Sequence, residues 1–278
     1  MWLLENDQYR GEVENYSRAA QFGDGLFETL SVQDGQVLKR DLHAQRLEKG
    51  MAALGMHSLS VTTEEWLEEK VAAILHHTRQ STGIVKVMVT RAPSARGYAY
   101  DASAPIQSIV SLSTPPNLNK AIYEAGIDVI YCNTHCSIQP TLAGIKHLNR
   151  LENVLARQEV VNAGTFEGLM LDANGFVIEG TMSNVFFCKG DVWYTPELYE
   201  SGVAGVMRQF IMNQSSTLSL QLEAGKIHQE DLKTMDAAFI CNSILGVVPI
   251  KRVEEKIFEI DESLIKMAKQ FRIWGGNE

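Results

Sequence analysis

Lys146, in the stretch Gly144-Ile145-Lys146-His147-Leu148-Asn149-Arg150-Leu151-Glu152, is the residue best set up for covalent chemistry. It follows the breaker-rich run Gln139-Pro140-Thr141-Leu142-Ala143-Gly144 and precedes an apolar helical pattern at Leu148, Leu151, Leu155 and Val160. In apolar surroundings at a helix entrance, a lysine is driven toward its neutral form, because burial disfavours the ammonium. A neutral amine can attack an aldehyde and form a Schiff base. The ordinary alternative is a solvated lysine ahead of a helix. Glu179 and Asn184 follow in the segment Gly175 to Phe186, where Glu179 taken alone reads as a strand-end carboxylate. The run Gly202-Val203-Ala204-Gly205-Val206-Met207-Arg208 is a glycine-bearing helix entrance, whose free backbone N–H groups suit an anion. Arg46 lies beside the apolar positions Leu47, Met51 and Leu54, where an unpaired guanidinium is costly unless it snorkels to water. Arg91 and Arg96 flank the loop Ala92-Pro93-Ser94-Ala95, and loop arginines are ordinarily solvated.

Metal chemistry has weaker support. Cys132, His135 and Cys136 are loosely spaced and no second ligand pair follows, so no standard zinc pattern is present. The four cysteines read as reduced thiols.

Two blocks carry a family resemblance. Gly144 to Glu152 resembles the Schiff-base segment of the fold type IV pyridoxal-phosphate enzymes, and Gly175 to Phe186 resembles their pyridine-binding segment. That family holds branched-chain aminotransferases, D-amino-acid aminotransferases and 4-amino-4-deoxychorismate lyases. The resemblance runs nearly end to end. It implies an α+β fold of two domains, with mostly antiparallel sheets, flanking helices and pyridoxal 5'-phosphate at the domain interface. It also implies a homodimer.

By this resemblance Lys146 carries the cofactor and Glu179 accepts a hydrogen bond from the pyridine nitrogen. Arg46, within His43-Ala44-Gln45-Arg46-Leu47, grips the phosphate with the backbone of Val206 and Met207 and the hydroxyl of Ser243. Asn184 completes the second block and joins the cofactor-binding set. Phe22 to Thr29 resembles the substrate-side strand, and Thr29 stands where the lyases of the family carry threonine. The lysine segment and Arg96-Gly97-Tyr98 point the same way. Ala92-Pro93-Ser94 departs from the glycine-rich form of the family's substrate loop. The implied reaction converts 4-amino-4-deoxychorismate to 4-aminobenzoate and pyruvate. Lys146 and Thr29 would be catalytic, and Arg96 and Arg91 would hold the substrate carboxylates. An aminotransferase acting on D- or branched-chain amino acids is the alternative. A catalytically silent cofactor-binding protein is a third.

The bulk properties fit such an enzyme. The 278 residues suffice for one large domain or two modest ones. Hydrophobic content is 45% and charged content 21%, ordinary for a globular chain. A net charge of −9 argues against nucleic acid as the main partner, while local arginines can still hold an anionic substrate. Met1-Trp2-Leu3-Leu4-Glu5 is too short and too quickly acidic for a signal peptide, and no run approaches the roughly 20 apolar residues of a membrane span. A cytoplasmic protein is expected.

The elements that must position these residues follow from local pattern. Leu26 to Val32 reads as a strand and Asp34-Gly35 as a hairpin turn, with Gln36 to Lys39 returning. Asp41 is placed to cap a helix through Leu54. Thr62 and Glu65 form a capping box for a helix from Thr63 to Thr78. Gly83 to Thr90 and Ile106 to Leu112 are strands. Ser113 to Asn119 is the best linker, dividing a domain of residues 1–114 from one of 115–278. Beyond it, Gly126 to Tyr131 is a strand and Asn149 to Asn162 a helix. Hairpins join Glu167–Leu171 to Phe176–Glu179, and Val185–Cys188 to Val192–Tyr194. A helix runs from the Gly202–Gly205 segment through Gln214, Ala237 to Cys241 is a buried strand, and Glu262 to Phe271 is an amphipathic helix.

Overall fold

The structure is a computed structural model that describes residues 2–5, 8–12, 17–56, 59–93 and 97–274. Strands β1 (Trp2–Glu5) and β2 (Gln8–Glu12) pair antiparallel, and the short helix α1 (Arg18–Phe22) follows. Strand β3 (Gly25–Gln33) buries Leu26, Glu28, Leu30 and Val32 on one face, as its period-two alternation dictates. Asp34 and Gly35 both take positive φ, the conformation of a tight hairpin turn, into β4 (Gln36–Val37). Helix α2 (Arg40–Ala53) is not capped by Asp41. Its N-cap is Lys39 in the left-handed conformation, and Asp41 sits in the first turn, where its charge favours the helix dipole. Helix α3 (Thr63–Thr78) has the full capping box, with Thr62 and Glu65 bonded in both directions.

Strands β5 (Gly83–Arg91) and β6 (Ile106–Ser113) complete an antiparallel sheet of order β4-β3-β5-β6. Leu26, Leu30, Val85 and Val87 pack against Leu47 and Met51 of α2 and Leu67 and Val71 of α3, forming one apolar cluster. Residues 114–121 lead to α4 (Ile122–Ala125) and β7 (Ile127–Tyr131), and a long loop then carries Lys146 to α5 (Leu151–Ala163).

Strands β8 (Glu167–Leu171), β9 (Val177–Gly180), β10 (Asn184–Lys189) and β11 (Val192–Pro196) follow, then helix α6 (Val206–Asn213) and β12 (Gln221–Gly225). Strands β13 (Ala237–Asn242), β14 (Gly246–Val253) and β15 (Lys256–Ile257) precede α7 (Glu262–Phe271). The large sheet has the order β12-β11-β10-β13-β14-β7-β8-β9, with β15 on β14. Most of its pairings are antiparallel, but β7 runs parallel to both β8 and β14, and β12 parallel to β11. The β7–β8 step is parallel because α5 supplies the long crossover that a parallel pair requires. Val185 to Phe187, Ala238 to Cys241 and Val247 to Ile250 are almost wholly enclosed, forming a second apolar cluster around this sheet. Among the described residues no helix is long and apolar enough to cross a membrane.

Candidate active site

The lysine segment is not the start of a helix. Helix α5 begins at Leu151, and Lys146 to Leu148 run extended beside β3. Phe27 N–H donates to the Lys146 carbonyl at 2.9 Å, and Leu148 N–H donates to the Gly25 carbonyl at 2.9 Å. The segment is thus pinned alongside β3 by these two bonds and the isolated bridge between Leu26 and His147. Two glycines permit this approach. A Cβ on Gly23, whose φ is +63°, would lie 2.3 Å from Asn149 Oδ1, and one on Gly25 would lie 2.6 Å from the Leu148 side chain.

Lys146 is half-buried, with Nζ 4.4 Å from the centroid of the Phe27 ring. Burial, then the positive charge of Arg46, pushes its amine down to about 8, with Glu28 and Glu179 pulling the other way. The neutral, nucleophilic form therefore appears near pH 8 rather than above 10. Reloading of the stripped protein with pyridoxal phosphate should accelerate roughly tenfold per pH unit up to about pH 8 and then level off. A rate that is flat between about pH 6.5 and 8, followed by the growth of cofactor absorbance, would contradict this lowered basicity.

Glu179, on β9, is 5% exposed, and its Oε2 accepts the Val203 N–H at 2.8 Å. Burial pushes its carboxyl up, against that bond and the charges of Arg150 and Lys146. Such a carboxyl is short of positive partners and suits a cationic ring N–H. Asn184, at the start of β10, donates to the Val203 carbonyl at 2.9 Å, and its Oδ1 lies against Gly205, where a Cβ would approach to 1.8 Å. Both ends of this amide meet the 203–205 loop, so its place is to hold that loop. Arg46 donates from Nη1 to the Ala204 carbonyl at 3.2 Å. Gly144 N–H donates to the Gly202 carbonyl at 2.9 Å, and Ala204 N–H donates back to the Gly144 carbonyl at 3.0 Å. Residues 202–205 thereby set the register of the lysine segment, Glu179, Asn184 and Arg46 together.

The same loop enters α6 through Gly205, and no side chain caps that helix. Val206 and Met207 open its first turn, whose N–H groups have no partner within the helix. Thr29 shares the β3 face of Phe27 and Ser31. Phe27 lies under Lys146, and Ser31 Oγ donates to the Ser243 carbonyl at 2.7 Å. Thr29 thus stands between the lysine and the turn that carries Ser243.

Arg91 is placed differently from the expectation. It is 2% exposed, and its guanidinium donates to Asp24 and to the carbonyls of Leu54 and Gly55 while covering the Tyr100 ring at 3.8 Å. A guanidinium so enclosed and so fully bonded ties the exit of β5 to the α2 terminus, and it does not present donors to a substrate. Arg96 lies outside the described residues.

Several site residues escaped the sequence reading. Arg150 and His147 line a cleft of about 350 Å³ together with Glu179, Gly202, Gln139 and Ser201. Arg150 donates to His147 Nε2, to the His147 carbonyl at 3.1 Å and to Asn153 at 3.3 Å. Burial, then the Arg150 charge, pushes His147 down to about 4. The neutral ring accepts on Nε2, so its proton sits on Nδ1, which is buried without a partner. Glu167 is fully buried and accepts from the Thr181 N–H and hydroxyl and from Ser183 Oγ, fixing the corner between Glu179 and Asn184. Nothing in the local sequence marks Glu167, because its partners belong to the next strand connection. Among the described residues no group of three His, Cys, Asp or Glu side chains could hold a metal ion.

Comparison with known proteins identifies the family. The model of the amino-transferase class IV family matches residues 25–253. The chain therefore belongs to the class IV aminotransferase family. It is 30% identical to an aminodeoxychorismate lyase of Vibrio harveyi, with 92% of each chain covered. It is 27% identical to a D-alanine aminotransferase of Bacillus licheniformis, over 91% of this chain and 86% of that one. Among solved structures, a 4-amino-4-deoxychorismate lyase from Pseudomonas aeruginosa superposes with a TM-score of 0.85 at 35% identity, over 94% of each chain. Pyridoxal 5'-phosphate, the cofactor of this family, fits the residues present. An amine of lowered basicity stands ready for its aldehyde, and a buried, undercompensated carboxyl for its ring nitrogen. A guanidinium edge and an uncapped helix N-terminus suit its phosphate.

Proposed function

We propose that this protein is a 4-amino-4-deoxychorismate lyase that releases 4-aminobenzoate and pyruvate. The observation that carries the reading is the placement of the Lys146 amine over Phe27, two residues before Thr29 on one face of β3. The names of the relatives in Vibrio harveyi and Pseudomonas aeruginosa support the same reaction. The bound cofactor supplies an electron sink for the carbanion beside the substrate nitrogen. Lys146, once its amine is free and neutral, removes the proton from the carbon that bears that nitrogen. Glu179 would accept the hydrogen bond of the cofactor's ring N–H and so favour its protonated form. The neighbouring C–O bond then breaks, the enolpyruvyl oxygen leaves with the bonding pair and takes up a proton to become pyruvate, and the carbocycle is left aromatic. The Thr29 hydroxyl is directed to the same face and can hold a substrate oxygen or water during proton transfer.

Arg96 is assigned to a substrate carboxylate. The substrate carries two carboxylates, and with Arg91 enclosed, Arg96 is the remaining arginine of that loop. The product decides between the two reactions of the fold. A lyase releases pyruvate and 4-aminobenzoate from aminodeoxychorismate, and Arg96→Ala should depress that turnover by about 2–5 kcal/mol of activation free energy while cofactor loading is unchanged. Fast amino transfer from a D- or branched-chain amino acid to 2-oxoglutarate, with no 4-aminobenzoate formed, would leave the fold and cofactor standing and overturn the reaction.

The domain boundary is placed near residue 114, which the two separate apolar clusters support. The cofactor would lie at the seam, where loop 202–205 meets Arg46. Four free, buried cysteines support a cytoplasmic location. A homodimer is supported by the face of α5, where Leu151, Val154 and Leu155 are each at least 60% exposed in the single chain. Sedimentation should give twice the chain mass of 30.9 kDa. A fully active monomer at micromolar concentration would refute the dimer.

A further inference from the structure

Behind Arg46 lies a buried carboxylate that the proposed mechanism does not use. Glu28 and His43 are each 1% exposed, in the layer between β3 and α2. Arg46 donates to Glu28 through two N–H groups, from Nε to Oε1 at 2.8 Å and from Nη2 to Oε2 at 2.5 Å. The neutral His43 ring donates from Nδ1 to Oε2 at 2.6 Å. Burial alone would push the Glu28 carboxyl up, but the charge and bonds of Arg46 and the bond from His43 outweigh it and hold the carboxyl at about 2. Burial keeps the His43 ring neutral against the pull of Glu28.

This arrangement has a direction. The carboxylate occupies the Nε–Nη2 edge of the guanidinium, so the Nη1 side is turned away from it. That side meets the Ala204 carbonyl, one residue before the Gly205 N-cap of α6. Three donors lock the Glu28 carboxylate, and a planar bidentate pair fixes the plane of its partner. An arginine without such a lock retains the rotamer freedom of a long side chain and must lose it when an anion binds.

We infer that Glu28 is a positioning residue, which fixes the plane of Arg46 so that its outer N–H groups meet the cofactor phosphate at the mouth of α6. This rests on the reading of Arg46 as a phosphate ligand. The ordinary competing role for Glu28 is a plain tie between β3 and α2. A plain tie would not distinguish a phosphorylated ligand from an unphosphorylated one.

The test is therefore a ratio of affinities. The full-length chain, stripped of cofactor, is titrated with pyridoxal 5'-phosphate and with pyridoxal, and dissociation constants are read from tryptophan fluorescence. Both ligands share the aldehyde and the ring nitrogen, so contributions from Lys146 and Glu179 cancel in the ratio. Glu28→Gln places its NH2 group against an Arg46 donor in either orientation, and in one of them against His43 as well, and should weaken pyridoxal phosphate by about 10- to 100-fold, the range for a hydrogen bond to a charged group. Pyridoxal should be unchanged. Glu28→Asp keeps the charge and shortens the reach. It should lose preference in the same sense by a smaller factor, and it carries the test if the glutamine variant does not fold. Arg46→Ala is the reference. If it leaves the ratio at the wild-type value, the phosphate reading of Arg46 is wrong. If Arg46→Ala collapses the ratio while Glu28→Asp and any folded Glu28→Gln protein keep it, Glu28 is only a tie and the inference is overturned.

Discussion

Lys146→Ala should abolish lyase turnover and remove the proposed site at which borohydride would fix the cofactor to the chain. The expected loss exceeds the roughly 10²- to 10⁴-fold contributed by a positioned acid–base group, because the same residue also forms the covalent link. The fold should survive. The segment is held by backbone bonds, Phe27 N–H to the Lys146 carbonyl and Leu148 N–H to the Gly25 carbonyl, and alanine retains both. Removing a half-buried cation also relieves its repulsion with Arg46. Phosphate contacts lie elsewhere, so pyridoxal phosphate should still bind, though reversibly. Reduction of the wild-type protein with borohydride and peptide mapping should label Lys146. The rival amine is Lys86, exposed on β5, whose Nζ lies 4.7 Å from the centroid of the same Phe27 ring. A label on Lys86, or on any other lysine, would sink the assignment.

Glu179→Gln should retain the cofactor and lose about a hundredfold or more in turnover, the scale of one removed transition-state charge interaction. The geometry makes this variant selective. Glu179 Oε2 accepts the Val203 N–H, and the glutamine carbonyl can take over that bond, so loop 202–205 keeps its place. The other position of the side chain becomes an NH2 group. It cannot accept from a ring nitrogen, and so cannot keep that nitrogen protonated. Because burial already raises the basicity of Glu179, replacing it by a neutral amide should not lower the melting temperature. Near wild-type turnover would refute the role, and a large fall in melting temperature would show that the variant had disturbed the loop instead.

Local pattern alone determined the parts of this protein whose causes are local. The capping box at Thr62 and Glu65 and helix α3 stand where the sequence puts them, and so does helix α7 at Glu262–Phe271, because each depends on contacts within a few residues. The Asp34-Gly35 turn and strand β8 were legible for the same reason, whereas the two motif blocks were legible only through their family resemblance. The tertiary structure decided what depends on distant partners. Asn149 reads as the start of a helix in sequence, yet α5 begins at Leu151, and the residues ahead of it are held by a bridge between His147 and Leu26 of β3, more than a hundred residues earlier in the chain. Arg91 looks like a loop arginine, and Asp24, 67 positions away, makes it a structural tie. Arg46 receives its orientation from Glu28 and its position from Ala204, 158 residues away. A buried charge is stable only where folding brings it a partner, so its role follows from that partner, and residue type and spacing along the chain do not name it.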